Sequence, residues 1–425
     1  MSQPVTMHRF IFILLLVASV QSAVAQRSIR DYVKQQTVPI QSIQPSDTNY
    51  QELEAIGNAI GDARIVMLGE QDHGDAPAFL AKTRLVKYLH EKKGFTVLAF
   101  ESDFFGLNYG WDGVSKKSPV IDSFLKDNIF PIWTYCDACT DLFYKYIPAT
   151  QETGTALQVT GFDNQLILHY SFKRLVTAFD SICRALSIPL IAPIQYKGES
   201  FKLMDRIWKL YTGQIKESVY VDELLADLQR TRRELAGKLP ENDFWMVLMD
   251  NLLSWTEDSR LRGKNDVEAG NARDEQMAKN LAWLANTKFR NEKIIVWAAN
   301  GHIANYTYRY GSSQPWIKRM GYFFRENYGQ GLSSYILGFT SYQGTAGRIT
   351  MRDTYPVHAP EKNGFENWIH PSYTNAFVDF KSYQGSRTEK FKMKGLAHAS
   401  SDAPWTAIYD GVFFIRDMYP CVGIK

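Results

Sequence analysis

The sequence predicts an α/β protein with a mostly parallel central sheet, flanking helices and an inserted helical subdomain. Three observations predict it. Arg64-Ile65-Val66-Met67-Leu68 is a short apolar run with the length and composition of a buried strand. The stretch after it repeats apolar residues at helical spacing, and Thr96 to Phe100 is a second buried run. A strand–helix–strand unit of this length is a crossover between parallel strands.

The elements follow in order. Residues 1–25 carry the pattern of an export leader. His8 and Arg9 end a short n-region, Phe10 to Val20 is uncharged and apolar, and Ala23-Val24-Ala25 supplies small residues before Gln26. That run is about half of the ~20 residues that a membrane span requires. No later stretch is long and apolar enough to span either, so 26–425 is expected as one α/β domain, soluble in the periplasm or the medium, with no membrane partner. Residues 27–47, with Pro39 and Pro45, read as extended and polar, and 49–60 as helical. The crossover helix takes Asp75 as its N-cap and Pro77 in its first turn, repeats Phe79, Leu85, Val86 and Leu89, and stops at Gly94. Ala156 to Phe162 is a further strand, followed by a helix over 166–186. About 198–260 reads as one long helical insertion, and Asn271 to Ala285 as helical. Lys293 to Ala298 and Tyr335 to Thr340 are strands, with shorter ones near 346–351, 376–380 and 411–417 in a C-terminal extension from about 346.

Composition narrows the function. A chain of 425 residues with 45% hydrophobic and 22% charged residues can bury a core without a staple. Lys+Arg 48 against Asp+Glu 45 leaves +3, too little for a nucleic-acid partner, so a small-molecule substrate is expected. Cys136 and Cys139 form a C-x-x-C, while Cys183 and Cys421 stand alone. With no second ligand pair at zinc spacing, the motif reads as a local disulfide or two buried thiols without chemistry.

Ligands of open parallel sheets bind outside the carboxyl ends of the strands. There the sequence places Glu70 and His73, then Glu101, then Asp163, then Asn300-Gly301-His302. Asp163 alone reads first as a helix N-cap. Together the two glutamates and two histidines form an ionisable set whose burial is costly unless they pair or bind something. No G-x-S-x-G elbow, P-loop, G-x-G-x-x-G or H-E-x-x-H occurs, so no cofactor is implied. What remains is a histidine among carboxylates. His73 near a helix N-terminus suits a general base, Glu70 or Glu101 would orient its ring, and His302 would polarise or protonate the oxygen. The alternative chemistry uses the same side chains as zinc or manganese ligands.

The segments LGEQDHG (68–74), GFTVLAFESD (94–103), GFD (161–163), RDEQMAKNLAWL (273–284), KIIVWAANGHIAN (293–305) and YILGFTSYQG (335–344) resemble the erythromycin esterase family, in order and over roughly 45–345. The resemblance implies an α/β hydrolase of esters or lactones, macrolides in some members, acting through a histidine-activated water. It makes His73 the base, Glu70 and Glu101 its carboxylate partners, and His302 the second histidine of the later motif. Lys82, Arg84, Asp163 and Arg273 are the substrate-binding candidates. The family's H-N-x-H has Ala299 at its first position here, and an arginine nine residues after the base is matched by Lys82. Both changes bear on a macrolide substrate, and through them a non-catalytic binding homologue is the remaining reading. Aromatic residues follow the strands (Phe104, Phe105, Tyr109, Trp111, Trp133, Tyr135, Phe143, Tyr144), either lining a cleft or packing a subdomain interface.

Overall fold

The apolar runs lie side by side in one nine-stranded sheet. The computed structural model describes residues 28–424 apart from 153, 189–193, 197–198, 202, 212–213, 215–216, 309–311 and 313–314. The leader expected over 1–25 lies outside the described residues. The strands are β1 (Val38–Ile40), β2 (Ile65–Leu68), β3 (Phe95–Asp103), β4 (Gln158–Asp163), β5 (Lys293–Trp297), β6 (Ser334–Ala346), β7 (Tyr355–Val357), β8 (Asn375–Asp379) and β9 (Gly411–Met418). Their spatial order is β1-β8-β9-β6-β2-β5-β3-β4, with β7 on β6. From β9 through to β4 every neighbouring pair is parallel. The antiparallel pairs are β1 with β8, β8 with β9, and β6 with β7. The mostly parallel α/β class is therefore what the chain adopts.

Alternate residues of β2 feed two cores. Val66 and Leu68 join one cluster, Ile65 and Met67 the other, and all four are buried. Burial on both faces is why this strand reads as an unbroken apolar run. Helix α1 spans Ile29–Gln36, α2 Glu54–Ile60, and α3, the crossover from β2 to β3, Ala76–Lys93. Gly94 closes α3 in the left-handed conformation (φ 73°), where a side chain would be strained. Beyond it come α4 (Ser118–Asn128) and α5 (His169–Ala185), then α6 (Leu203–Tyr211), α7 (Ser218–Ala236), α8 (Phe244–Leu261) and α9 (Asp266–Trp283).

Three expectations need correction. The 27–47 stretch holds a helix, because Ser28 caps the Asp31 amide (3.2 Å) and Ile29 and Val33 share one buried face. The helical insertion expected over 198–260 is built of three helices, and α7 and α8 share a third core with α5. No strand covers 346–351: β6 runs on to Ala346, and the chain turns before pairing back as β7. The C-x-x-C is not closed on itself. Cys136 is bonded to Cys421, while Cys139 and Cys183 are buried thiols. As for the aromatic residues, Phe104, Phe105, Trp111, Trp133 and Phe143 are buried, and Phe104 stacks on Phe244 at 5.6 Å, so these pack elements together. Among the described residues no helix is long and apolar enough to cross a membrane.

One close approach fixes the geometry of the rim. Asn300, just after β5, donates to the carbonyls of Phe339 (2.6 Å) and Gly395 (2.7 Å) and accepts from the Phe339 amide (2.9 Å). It reaches them past Gly69, where an added Cβ would stand 2.0 Å from the Asn300 amide oxygen. Gly69→Ala should destabilise the protein by about 1–3 kcal/mol through overpacking. A urea unfolding midpoint equal to that of the parent chain would refute this.

Candidate active site

Because β2, β3, β4 and β5 are parallel neighbours, their carboxyl ends share one rim, and the polar residues after them meet there. Two charge clusters result. In the first, Glu70 is fully buried and both of its carboxylate oxygens have partners. One oxygen accepts from Lys82 Nζ, and the other lies 3.1 Å from His73 Nδ1 and 3.3 Å from the Trp133 indole N–H. Lys82, on α3, is itself wholly buried; its ammonium lies over the Trp297 ring (4.2 Å) and donates to Ala298 O (3.3 Å). Burial pulls the Lys82 ammonium below the ordinary lysine value, and Glu70 pulls it back. His73 keeps 17% of its side chain exposed, and its ring meets Trp133 edge-on at 5.5 Å.

In the second cluster, Arg273 on α9 grips Asp163 with two bonds, Nε to Oδ1 at 3.0 Å and Nη2 to Oδ2 at 2.6 Å, and reaches Glu101 Oε1 at 3.0 Å. Glu101 sits where the β3–β4 register shifts, between Phe100 and Asp103, an irregularity that re-aims side chains. Its other contacts are His302 Nε2 (3.2 Å) and the Ala299 amide (3.0 Å). Asp274, the next residue on α9, holds His302 Nδ1 at 2.7 Å. Burial alone would push Glu101 up, but His302, His73 and Arg273 hold it well below the usual carboxylate range. Burial likewise disfavours the His302 cation, yet Asp274 and Glu101 overcome it and raise its pKa to about 10.

The candidates therefore separate. Glu70, His73, Glu101, His302 and Arg273 meet at the rim, with Glu70 rather than Glu101 orienting His73. Asp163 is no helix cap: α5 begins only at His169, and the carboxylate is buried behind Arg273. Lys82 lies fully buried behind Glu70. Arg84 points elsewhere altogether, pairing with Asp47 (3.1 Å) and Glu52 and donating to the carbonyl of Asn49 (2.7 Å). Asp75 occupies the N-cap position of α3 without capping it; its carboxylate accepts from the Asp72 amide (2.9 Å) and lies 3.0 Å from His398 Nε2. Sequence reasoning missed Asp274 and Trp133. Asp274 adjoins Arg273 in the segment RDEQMAKNLAWL, and Trp133 stands out in the sequence only as one of the aromatic residues after the strands, with nothing to tie it to Glu70.

The carboxylates are already matched by the protein's own cations, Glu70 by Lys82 and Glu101 and Asp163 by Arg273, so a divalent ion would have to displace them. Among the described residues, the three donors that close to within 4.8 Å are Cys136, Asp137 and Cys421, and both sulfurs are spent on the disulfide.

Two predictions follow from this geometry. His302 has a folded-state pKa above its ordinary value of about 6.5, so its stabilisation is full below that pH and is lost as pH rises towards 10. The melting temperature should fall over that window, and fall less steeply in His302→Gln; parallel curves would refute the assignment. Arg84→Ala should cost about 1–3 kcal/mol, by removing a buried side chain and the donors that satisfy the carbonyls of Ser42, Asp47 and Asn49. Turnover per folded molecule should stay unchanged, as measured by combining thermal melts with initial rates.

The family model for erythromycin esterase matches residues 90–417. YbfO of Bacillus subtilis (strain 168), named as a hydrolase, is 24% identical over 435 residues, covering 96% of this chain and 95% of that protein. Erythromycin esterase type II of Escherichia coli is 24% identical over 424 residues, covering 91% of this chain and 97% of that one. The solved structure of an erythromycin esterase mutant in its open conformation shares the fold, with a TM-score of 0.66 at 16% identity over 91% of this chain and 98% of that one. Matched by that family model over most of its length, the chain belongs to the erythromycin esterase family and is, at that level, an ester hydrolase.

Proposed function

We propose that the protein is an exported hydrolase of carboxylic esters or lactones in which His73 activates the attacking water. The observation that carries this reading is the unlike setting of the two histidines. His302 is clamped between two carboxylates and is a cation at neutral pH. It has no free electron pair with which to act as a base. His73 is hydrogen-bonded to one carboxylate, Glu70, whose charge Lys82 already balances. Donation from Nδ1 to Glu70 leaves Nε2 of a neutral ring with its lone pair, as a general base requires. Pairs of titratable groups in divergent environments are the usual mark of an acid–base division of labour.

The remaining parts support the same chemistry. Arg273 spends Nε and Nη2 on Asp163 and Glu101, while Nη1 lies 3.4 Å from His302 Nε2, a nitrogen that is itself a donor in the imidazolium. Glu101 Oε1 already lies between these two cations, so Arg273 Nη1 is the donor left to meet a further anion at the partly exposed edge of the pair. In an ester hydrolase that anion is the tetrahedral oxyanion. His73 takes a proton from water, the hydroxide adds to the carbonyl, and Arg273 and His302 stabilise the negative oxygen. The protonated His73 then returns its proton to the leaving alkoxide, yielding acid and alcohol. Export rests on the leader pattern of 1–25. A lactone substrate rests on family membership and on the erythromycin esterase among the relatives, and Ala299 and Lys82 make a macrolide only one member of that class.

His73→Ala should lower kcat/KM on a panel of chromogenic esters and lactones by about 10²–10⁴-fold. The parent enzyme should keep its rate after dialysis against a chelator. An undiminished variant would remove His73 from the mechanism, and a chelator-sensitive parent would favour metal chemistry.

A further inference from the structure

The Cys136–Cys421 disulfide joins the one sequence motif that the hydrolytic reading leaves unused to a strap across the catalytic rim. Residues 419–424 are stitched to two segments at once. On one side the Ala76 amide donates to Tyr419 O (3.1 Å) and the Cys421 amide to Gly74 O (2.9 Å), directly after His73. On the other, the Asp137 amide donates to Val422 O (2.9 Å), the Ile424 amide to Tyr135 O (2.8 Å) and the Val422 amide to Asp137 Oδ1 (3.0 Å). That second seam follows Trp133, and the disulfide closes it covalently. The bridged segments thus carry the two groups that meet at Glu70: His73, through Nδ1, and Trp133, through its indole N–H. Tyr419 and Val422 are 46% and 65% exposed, so little apolar burial holds the strap down. A few surface backbone bonds open readily by themselves.

We propose that this disulfide is a positioning device for the catalytic base: it fixes the spacing between the His73 loop and the Trp133 segment, and the enzyme turns over at full rate only when it is closed. The proposal rests on His73 being the base. It makes the hydrolase an enzyme for oxidising surroundings, and in a reducing cytosol the same chain would be folded but slow.

The test uses the purified full chain. Tris(2-carboxyethyl)phosphine opens the bond to two thiols and becomes the phosphine oxide. Below the melting temperature of the reduced form, with circular dichroism unchanged, kcat on a chromogenic ester should fall on the order of 10–100-fold, the scale of a small misplacement of a reacting group. KM should stay within about twofold. Amide exchange at Ala76 and Cys421 should quicken, and oxidised glutathione should restore both readouts. Cys421→Ser should behave as the reduced enzyme and ignore the phosphine. A disulfide that only stabilises would lower the melting temperature and leave kcat of the folded molecule intact, which would overturn the proposal. Unchanged exchange at Ala76 and Cys421 would overturn it equally. If the reduced chain does not stay folded, Asp137→Ala loosens the same seam with the bond closed; a lower kcat at constant KM supports the strap, and an unaltered kcat ends it. Full activity in His73→Ala would sink the base reading instead, and amide exchange would still decide whether the strap holds the loop.

Discussion

Buried charge is the constraint on which the site depends. Glu70, Glu101 and Asp163 at the strand ends and Asp274 on α9 all lie out of solvent, where an isolated carboxylate would be driven neutral. Each is paired with a cation or an imidazole supplied from another element: Lys82 from α3, Arg273 from α9, and His302 from the turn after β5. The network is therefore both the glue of the rim and the source of its chemistry. Removing one member leaves its partner as an uncompensated charge, which is why such clusters resist piecemeal change.

The sheet supplies the convergence. Parallel strands bring their carboxyl ends to one edge, so residues as far apart in sequence as Glu70 and His302 end up as neighbours of neighbours. The Asn300 amide to the Glu70 carbonyl, 2.8 Å, is the backbone clasp between the two clusters. Gly69 is the opening that lets the Asn300 side chain bond to β6 beside it.

Much of this was legible in the sequence, for physical reasons. Strands buried on both faces are apolar throughout, so β2, β3, β4 and β5 announce themselves, and the polar residues that end them are conspicuous by contrast. What was hidden depends on long-range contact. Lys82 falls between Phe79 and Val86 on a helix, at spacings that place it on the buried side, so its need for a carboxylate partner was readable but its direction was not. Trp133 reaches the site from a segment with no catalytic pattern of its own, and Asp274 stands beside Arg273 in a helical segment whose partner, His302, the spacing does not show. The Cys136–Cys421 pairing spans 285 residues and replaces the shorter closure that the C-x-x-C spacing suggests.

The seating of β2 has a consequence for how the chain acquires its shape. Its two neighbours in the sheet are β5 and β6, with Ile65 opposite Ile294 on one side and Ser334 on the other. No strand made earlier than β5 pairs with it, so the first two-thirds of the polypeptide cannot complete the middle of the sheet. Loop-closure entropy over more than two hundred residues must be met before those contacts return anything, and such topologies assemble slowly. A ribosome-bound fragment ending before β6 would hold an open sheet edge in its interior, a natural client for a holding chaperone.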